Sequence, residues 1–331
     1  MLAGQARAAA LHWVRHHAGP GFRGAFLTGS AADRSLDEVQ PAWSDVDVTV
    51  LLAGPVAPPK PGKIRHRGAL LDVTYLPVSA LADPEKVAAT HYLAPSFAGP
   101  DAILSDPTGL LGGLRAHIAP TFRSPAAVRK RVADVLAAVR TRLAARDEAA
   151  PWPQQVLAWL FPASLVAVAV LVAAGERPTV RTRYRRARAV LGEESGLYAR
   201  MLGLLGCADV DAEVVVGHLD RLAVVFDEAA AVGPTRFPFA SDISAQARPV
   251  AIDGSRALVA AGDHREAVFW IVATFARCER ILGDRPDAPD FSAALAELVG
   301  VRGPGDLRAR TAATLAFLPE LEEATAAIGG F

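Results

Sequence analysis

The feature that most constrains the fold is a change of hydrophobic pattern near residue 124. Before it, apolar residues come in short runs separated by loops with Gly and Pro, and after it they recur at helical spacing. Ser124 is a good helix N-cap, and Pro125 suits the first helical position. We therefore expect an α+β protein with a small mixed-sheet domain over residues 1–122 and an all-helical domain over residues 123–331.

The first predicted domain combines one helix with short strands. Valine-rich apolar runs that stop at Gly or Pro are typical of buried strands. We predict a helix over residues 6–17, strands over residues 24–28, 46–52, 69–76 and 102–105, and a loop over residues 55–63.

Apolar residues at helical spacing fill the second predicted domain. Its first helix begins at Pro125 and is broken by the Pro-Trp-Pro sequence at residues 151–153. Gly and Pro separate the segments that follow. Further helices are predicted over residues 154–174, 183–191, 195–205, 211–231, 254–282, 291–298 and 305–328.

The charge balance argues against a protein that holds long nucleic acids by bulk electrostatics. Thirty-five Lys and Arg residues match thirty-five Asp and Glu residues, so the formal net charge is zero. With 51% hydrophobic and 21% charged residues, the chain has an ordinary globular composition and is expected to fold. Any site for a polyanion must therefore be local.

Three features favour a cytoplasmic protein without a membrane span. The first twenty residues have no continuous apolar core, so they do not form a signal peptide. Cys207 and Cys278 lie in apolar helical patterns, which favours buried thiols over a disulfide. Val156–Ala174 is uncharged over nineteen residues, but Pro162, the high alanine content and the arginines on both sides favour a buried helix.

The residues that carry chemistry begin with Asp45 and Asp47, which lead into a valine-rich strand. Side chains two apart in a strand point to the same face, so these carboxylates lie side by side while Val46 and Val48 enter the core. Asp72 is a lone acid in a later apolar run. If the two strands pair, three carboxylates converge, and such hard oxygen ligands suit Mg²⁺ and phosphoryl chemistry.

The Gly29-Ser30 turn fits the same chemistry. Glycine lets the backbone approach a phosphate closely. The serine hydroxyl and the neighbouring N–H groups can donate hydrogen bonds to phosphate oxygens. A Gly-Ser turn alone is a weak signal of a phosphate site. The signal is stronger here because the turn precedes the strands that carry the acids.

These residues resemble the nucleotidyltransferase superfamily of the polymerase-beta type, and in particular the aminoglycoside and lincosamide nucleotidyltransferases. The family pattern is an apolar residue, Gly, Gly or Ser, a loop, then Asp, apolar, Asp or Glu, apolar, with a third acid on a later strand. The matching segments are Leu27-Thr28-Gly29-Ser30, Ser44-Asp45-Val46-Asp47-Val48 and Asp72. Two departures are Thr28 in place of an apolar residue and the fourteen-residue loop between Ser30 and Asp45, which is slightly long for the family.

The resemblance implies roles for the matching residues. Asp45 and Asp47 would hold Mg²⁺, Ser30 beside Gly29 would contact the triphosphate of ATP, and Asp72 would complete the metal site or act as general base on an acceptor hydroxyl. The first domain would be the nucleotidyltransferase domain and the helical one the substrate-binding domain.

A second feature is the arginine-rich segment over residues 176–191. It forms either a solvated basic face paired with glutamates or a turn that points one or two guanidinium groups at nucleotide phosphates. In the aminoglycoside enzymes a basic residue in a similar segment does the latter, and Arg181 and Arg183 are the nearest matches.

We therefore expect an enzyme that transfers a nucleoside monophosphate, AMP from ATP, to a hydroxyl of a small molecule such as an aminoglycoside-like antibiotic. Two alternatives stay open. One is a nucleotidyltransferase or antitoxin that modifies a protein, and the other is an inactive nucleotide-binding regulatory protein. The sequence leaves the acceptor, the nucleotide and the oligomeric state open.

Overall fold

A five-stranded mixed sheet is the framework of the N-terminal half. The computed structural model describes residues 1–99, 101–233, 240–283 and 289–331. The spatial order of the strands is β3-β4-β2-β1-β5, where β2 and β4 run parallel and the other neighbours antiparallel. The strands are β1 (Phe22–Thr28), β2 (Val46–Leu52), β3 (Gly62–His66), β4 (Ala69–Pro77) and β5 (Ile103–Ser105).

Helices make up most of the remaining described chain. The predicted α+β class is confirmed, and the particular domain type stays a prediction. The helices are α1 (Ala3–His17), α2 (Pro84–Ala89), α3 (Leu110–Ile118), α4 (Pro125–Ala144), α5 (Trp152–Ala163), α6 (Leu165–Ala173), α7 (Arg183–Leu191), α8 (Gly196–Leu205), α9 (Ala212–Val232), α10 (Gly254–Ala260), α11 (His264–Leu282), α12 (Pro289–Val299) and α13 (Pro304–Gly329).

The chain divides into two compact units. The sheet unit comprises Met1–Asp134, Gly175–Thr179 and Phe331, and the helical unit comprises Val135–Ala174 and Val180–Gly330. The division therefore falls inside α4, beyond the boundary predicted at residue 122.

The two faces of the sheet pack against different elements, because strand side chains alternate. Val46, Val48 and Val50 of β2 lie in a core with α1. Phe26 of β1 and Leu51 of β2 lie in a second core with α3. Asp47 thus belongs to the face opposite α1, as the alternation of β2 predicts.

The sequence pattern predicted none of β3, α2 and α3, and the loop predicted over residues 55–63 ends inside β3. β3 is an edge strand, and it carries the polar residues Lys63, Arg65 and His66. A partly solvated edge has no continuous apolar run for the sequence to reveal.

Two predicted helices are each two helices in the structure. The helix predicted over residues 154–174 breaks at Ser164, two residues after Pro162, which has no N–H to donate. The helix predicted over residues 254–282 breaks between α10 and α11, where Gly262 has a φ of +84° that a helix does not allow.

The stretch across α5 and α6 is the one described segment that could span a membrane by length and composition. Trp152–Ala173 has a mean hydropathy of 2.5 in its most apolar window, and 83% of that window is buried inside the protein. Such burial is typical of a core helix, as the sequence predicts. Cys207 and Cys278 are free and buried, as their place in apolar helical patterns predicts.

Candidate metal and phosphate site

Three carboxylates meet at one end of the paired strands β2 and β4. Asp47 lies directly opposite Asp72 in the parallel register, and Asp45 stands just before β2. One carboxylate oxygen from each residue lies within 4.8 Å of the other two. The convergence predicted from the sequence is therefore confirmed, and the three acids can hold a cation.

Gly29 allows a close approach between the turn after β1 and the carboxylate of Asp47. Gly29 begins a 3-10 turn, Gly29–Ala32, and has a φ of +60°, which favours glycine. A Cβ atom at this position would lie 2.0 Å from Oδ2 of Asp47. Glycine is therefore required both by the backbone and by the acid beside it. Ser30 follows in the same turn and is half-buried.

A hydrogen-bonded loop anchors the start of β2. The Gln40 side-chain amide donates to the carbonyl oxygens of Ser44 at 3.0 Å and Asp45 at 3.2 Å. Arg34 in turn donates to Oε1 of Gln40 at 2.6 Å and to Oγ of Ser44 at 3.1 Å. These hydrogen bonds fix the backbone of Asp45 and thereby position its carboxylate beside those of Asp47 and Asp72.

Two lysines complete the cluster, and sequence reasoning missed them. Lys63 of β3 is paired across the sheet with Asp72, and its Nζ contacts Oδ2 of Asp45 and, at 2.8 Å, Oδ2 of Asp72. Lys60 Nζ lies 2.6 Å from Oδ1 of Asp72. One signal was available: the chain has four lysines among thirty-five basic residues, and two of them flank Pro61-Gly62 at the start of β3. The three acids and the two lysines together form what we call the sheet-edge cluster: Asp45, Asp47, Asp72, Lys60 and Lys63.

The cluster shifts the pKa values of two of its acids in opposite directions. Loss of hydration raises the pKa of Asp47 well above its usual range, and the Asp45 and Asp72 carboxylates raise it further. Burial also acts to raise the pKa of Asp72, but Lys63 and Lys60 outweigh it and the net pKa is lowered. Asp47 therefore takes up a proton more readily than Asp72 does when no added cation is present.

A cavity of about 650 Å³ lies at the end of the Gly29–Ala32 turn, where Ala32 and Asp33 line it. Its lining includes Ala32 and two guanidinium groups, those of Arg123 and Arg177. Gly29 lies beside Asp47, and Ala32 at the other end of the same short turn lines the cavity. The turn therefore connects the carboxylates to the cavity along the chain.

The two arginines in the cavity differ in their environments. Arg177 donates to Oδ1 of Asp33 at 2.6 Å and to the carbonyl oxygen of Pro95 at 2.8 Å, and its side chain is 11% exposed. Arg123 is exposed and forms no ion pair with any residue that the structure describes. Arg123 is therefore available to an anion, and Arg177 is held in place.

The predicted phosphate ligands Arg181 and Arg183 belong to the helical unit and make contacts there. Arg181 donates to the carbonyl oxygen of Val250 at 2.8 Å. Arg183 is buried, donates to Oγ of Ser164 at 2.6 Å and stacks over Phe269 at 4.5 Å. Burial lowers the pKa of Arg183 to about 10. These contacts give both residues a structural role at the break between α5 and α6 and beside α10, and their contact with phosphates stays a prediction.

Comparisons with known proteins add no relative to these observations. No protein-family model matches the chain, and no curated protein sequence is significantly similar to it. The geometry of the site is therefore what indicates the function of the chain.

Proposed function

We propose that this protein is a Mg²⁺-dependent nucleotidyltransferase that transfers AMP from ATP to a hydroxyl group of a small molecule. In this reaction the acceptor oxygen forms a bond to the α-phosphorus, the bond from the α-phosphorus to the bridging oxygen breaks, and pyrophosphate leaves. The acceptor hydroxyl loses one proton.

The observation that carries the proposal is the register of Asp47 opposite Asp72, with Asp45 two residues before Asp47. It places three carboxylates at the end of the sheet where the Gly29-Ser30 turn begins. Three carboxylates beside a glycine turn can bind a cation together with phosphate groups.

The donor set fits a magnesium ion. Asp45, Asp47 and Asp72 supply oxygen ligands only, and the ammonium groups of Lys60 and Lys63 among them indicate that these oxygens require positive charge. A bound Mg²⁺ would supply polarisation of the α-phosphate and stabilise the charge on the pyrophosphate leaving group.

The remaining work falls to groups of the protein itself. The hydroxyl of Ser30 and the N–H groups of its turn donate to phosphate oxygens, while the exposed guanidinium of Arg123 binds the nucleotide from across the cavity. Asp72 has a lowered pKa and is ionised at neutral pH, and its carboxylate either completes the metal site or takes the acceptor proton.

A second candidate is a nucleotide-binding regulatory protein without turnover. Its support is the pair of ammonium groups that contact the carboxylates, because such groups can neutralise the acids without a metal. The two candidates differ in whether pyrophosphate is released.

The first test is calorimetric titration of α,β-methylene-ATP into the protein, with and without Mg²⁺. The α–β linkage of this nucleotide cannot be cleaved. The wild type should bind the nucleotide only with Mg²⁺, and Asp47→Asn should abolish that binding. Asp220→Asn is the matched control, because Asp220 is an exposed acid paired with Arg256 in the helical unit. Wild-type affinity in Asp47→Asn would remove Asp47 from the site.

The second test is pyrophosphate release from ATP across a panel of acceptors, beginning with aminoglycosides and lincosamides and including peptides. Release with a small hydroxyl-bearing acceptor supports the proposed function. Release with peptides alone would assign the chain to protein modification. Tight nucleotide binding with no release over the whole panel would overturn the proposal in favour of the regulatory candidate.

A further inference from the structure

The position of Lys63 conflicts with simple occupancy of the three carboxylates by a metal ion. Its Nζ contacts Oδ2 of both Asp45 and Asp72, and the side chain is 5% exposed. Lys60 covers the other oxygen of Asp72 at 2.6 Å. The ammonium groups thus lie against oxygens that a cation bound by all three acids would use.

A metal ion and these two ammonium groups compete for the same carboxylate oxygens, so neither can bind them as strongly as it would alone. Like charges in contact repel, and each cation weakens the hold of the carboxylates on the other. A metal that binds alone must therefore displace the ammonium groups of the buried Lys63 and the half-buried Lys60 from these oxygens. The affinity for a metal alone should be low for this reason.

A nucleotide changes this balance, because its phosphate chain supplies new acceptors for the same ammonium groups. Lysine carries a compact charge on a flexible four-carbon stem, so its ammonium can move while its backbone stays in place. Lys63 is on the edge strand β3, and Lys60 precedes that strand with a side chain that is 22% exposed. Both are positioned to turn from the carboxylates to an anion at the same edge.

We propose that Lys63 and Lys60 are nucleotide-positioning residues that hold the carboxylates in the metal-free protein and pass to the phosphate oxygens when nucleotide and cation bind together. This inference depends on the proposed function for the identity of the ligand. It predicts that the cation and the nucleotide each raise the affinity of the protein for the other, with the two lysines as the coupling element.

A merely structural role for the lysines predicts the opposite result for the metal. If Lys63 only keeps three acids together, its loss should loosen the cluster and weaken metal binding. If Lys63 competes with the metal, its loss should strengthen the binding of the metal alone. The sign of this change therefore separates the two roles.

The experiment measures Mn²⁺ binding by electron paramagnetic resonance, with and without α,β-methylene-ATP, in the full chain. For the wild type, we expect the nucleotide to tighten Mn²⁺ binding about tenfold or more. In Lys63→Met, Mn²⁺ alone should bind about tenfold tighter than in the wild type, the nucleotide should bind about tenfold more weakly, and the coupling should be lost. Lys60→Met should show the same changes to a smaller extent and, being more exposed, provides a second variant if Lys63→Met does not fold.

Two controls define the result. Lys130→Met removes an exposed lysine that pairs with Glu85 outside the sheet-edge cluster, and it should leave both affinities unchanged. Lys63→Arg keeps the charge and should keep the weak binding of Mn²⁺ alone.

The outcomes separate this inference from the proposed function. Normal nucleotide binding by the wild type, with Mn²⁺ binding unchanged or weaker in both methionine variants, overturns the inference alone. Absence of nucleotide binding by the wild type overturns the proposed function and this inference with it.

Discussion

The sheet unit and the helical unit each contain a cluster of buried or half-buried carboxylates, but the charge balance of the two clusters differs. In the helical unit, Asp263 and Glu266 face Arg185 and Arg188, with Arg188 Nη1 at 2.9 Å from Oε1 of Glu266. Tyr198 also donates its hydroxyl to Glu266. We call these five residues the helical ion-pair cluster. There, two acids meet two arginines, whereas in the sheet-edge cluster three acids meet two lysines.

The comparison separates a cluster that supports the fold from one that is suited to a ligand. The helical ion-pair cluster is balanced, and its acids are 4% and 1% exposed in the side chain, so it has no need of another cation. The sheet-edge cluster has one carboxylate in excess, and Asp45 remains 18% exposed. Arginine forms fixed multidentate pairs with carboxylates, whereas lysine forms pairs that exchange more easily. An excess acid with exchangeable partners is the property expected of a binding site.

The largest expected effect is on turnover. Asp72→Asn keeps the shape of the side chain but removes the base, so the rate of pyrophosphate release should fall by ~10²–10⁴ while the nucleotide affinity stays within a few-fold. The assay is pyrophosphate release compared with calorimetric binding. A parallel loss of binding and turnover would instead make Asp72 mainly a metal ligand.

The next effect is on the stability of the helical unit. Arg188→Met leaves Asp263 and Glu266 without their shared partner, and breaking a buried ion pair costs about 3–5 kcal/mol. Denaturant unfolding measures the change in the free energy of unfolding. Arg256→Met is the control, because its pair with Asp220 is exposed and contributes about 1 kcal/mol or less. Equal effects in the two variants would remove the structural role of the cluster.

A third effect concerns the glycine beside the sheet-edge cluster. Gly29→Ala should destabilise the protein by about 1–3 kcal/mol, because φ is positive and the Cβ would overlap Oδ2 of Asp47. It should also weaken Mg²⁺-dependent nucleotide binding. Gly19→Ala shares the positive φ, at +82°, but has nothing within 4 Å, so it should lose stability without losing binding. Intact binding in Gly29→Ala would contradict the close approach.

The smallest effect is on the pH dependence of stability. The pKa of Asp47 is raised in the folded state, so the folded protein binds a proton more tightly than the unfolded chain does. Stability without metal should therefore fall as the pH rises from the ordinary pKa of Asp through the raised one. Asp47→Asn should remove this fall and raise the free energy of unfolding at neutral pH, because the substituted amide carries no charge that must be buried. Thermal unfolding at a series of pH values measures this pH dependence. If the stability of the variant and of the wild type changed with pH in the same way, the raised pKa of Asp47 would be contradicted.

The parts of the fold that follow from local pattern were predictable from the sequence. β2 was predicted with its observed bounds, because its valines alternate with Asp47 and Thr49 and it ends before Gly54. α7 was likewise predicted with its observed bounds. The convergence of Asp45, Asp47 and Asp72 needed one further assumption, that β2 and β4 are neighbours, and the parallel register satisfies it.

The parts that depend on tertiary contact were not predictable. Lys63 reaches the acids only because β3 pairs with β4 at the edge of the sheet, and a short polar strand leaves no periodic signal. The contact of Arg183 with Ser164 depends on the break between α5 and α6, which the uninterrupted apolar run conceals. A count of arginines therefore could not distinguish a residue that supports a helix break from one that binds a ligand.

The most direct test of the account is a crystal structure of the wild type grown with Mn²⁺ and α,β-methylene-ATP, with the metal located by its anomalous scattering. The account predicts a Mn²⁺ peak among the carboxylates of Asp45, Asp47 and Asp72, with the phosphates beside the Gly29–Ala32 turn and the nucleotide directed to the adjacent cavity. Nucleotide bound elsewhere, with Lys63 still in contact with Asp45 and Asp72, would contradict it.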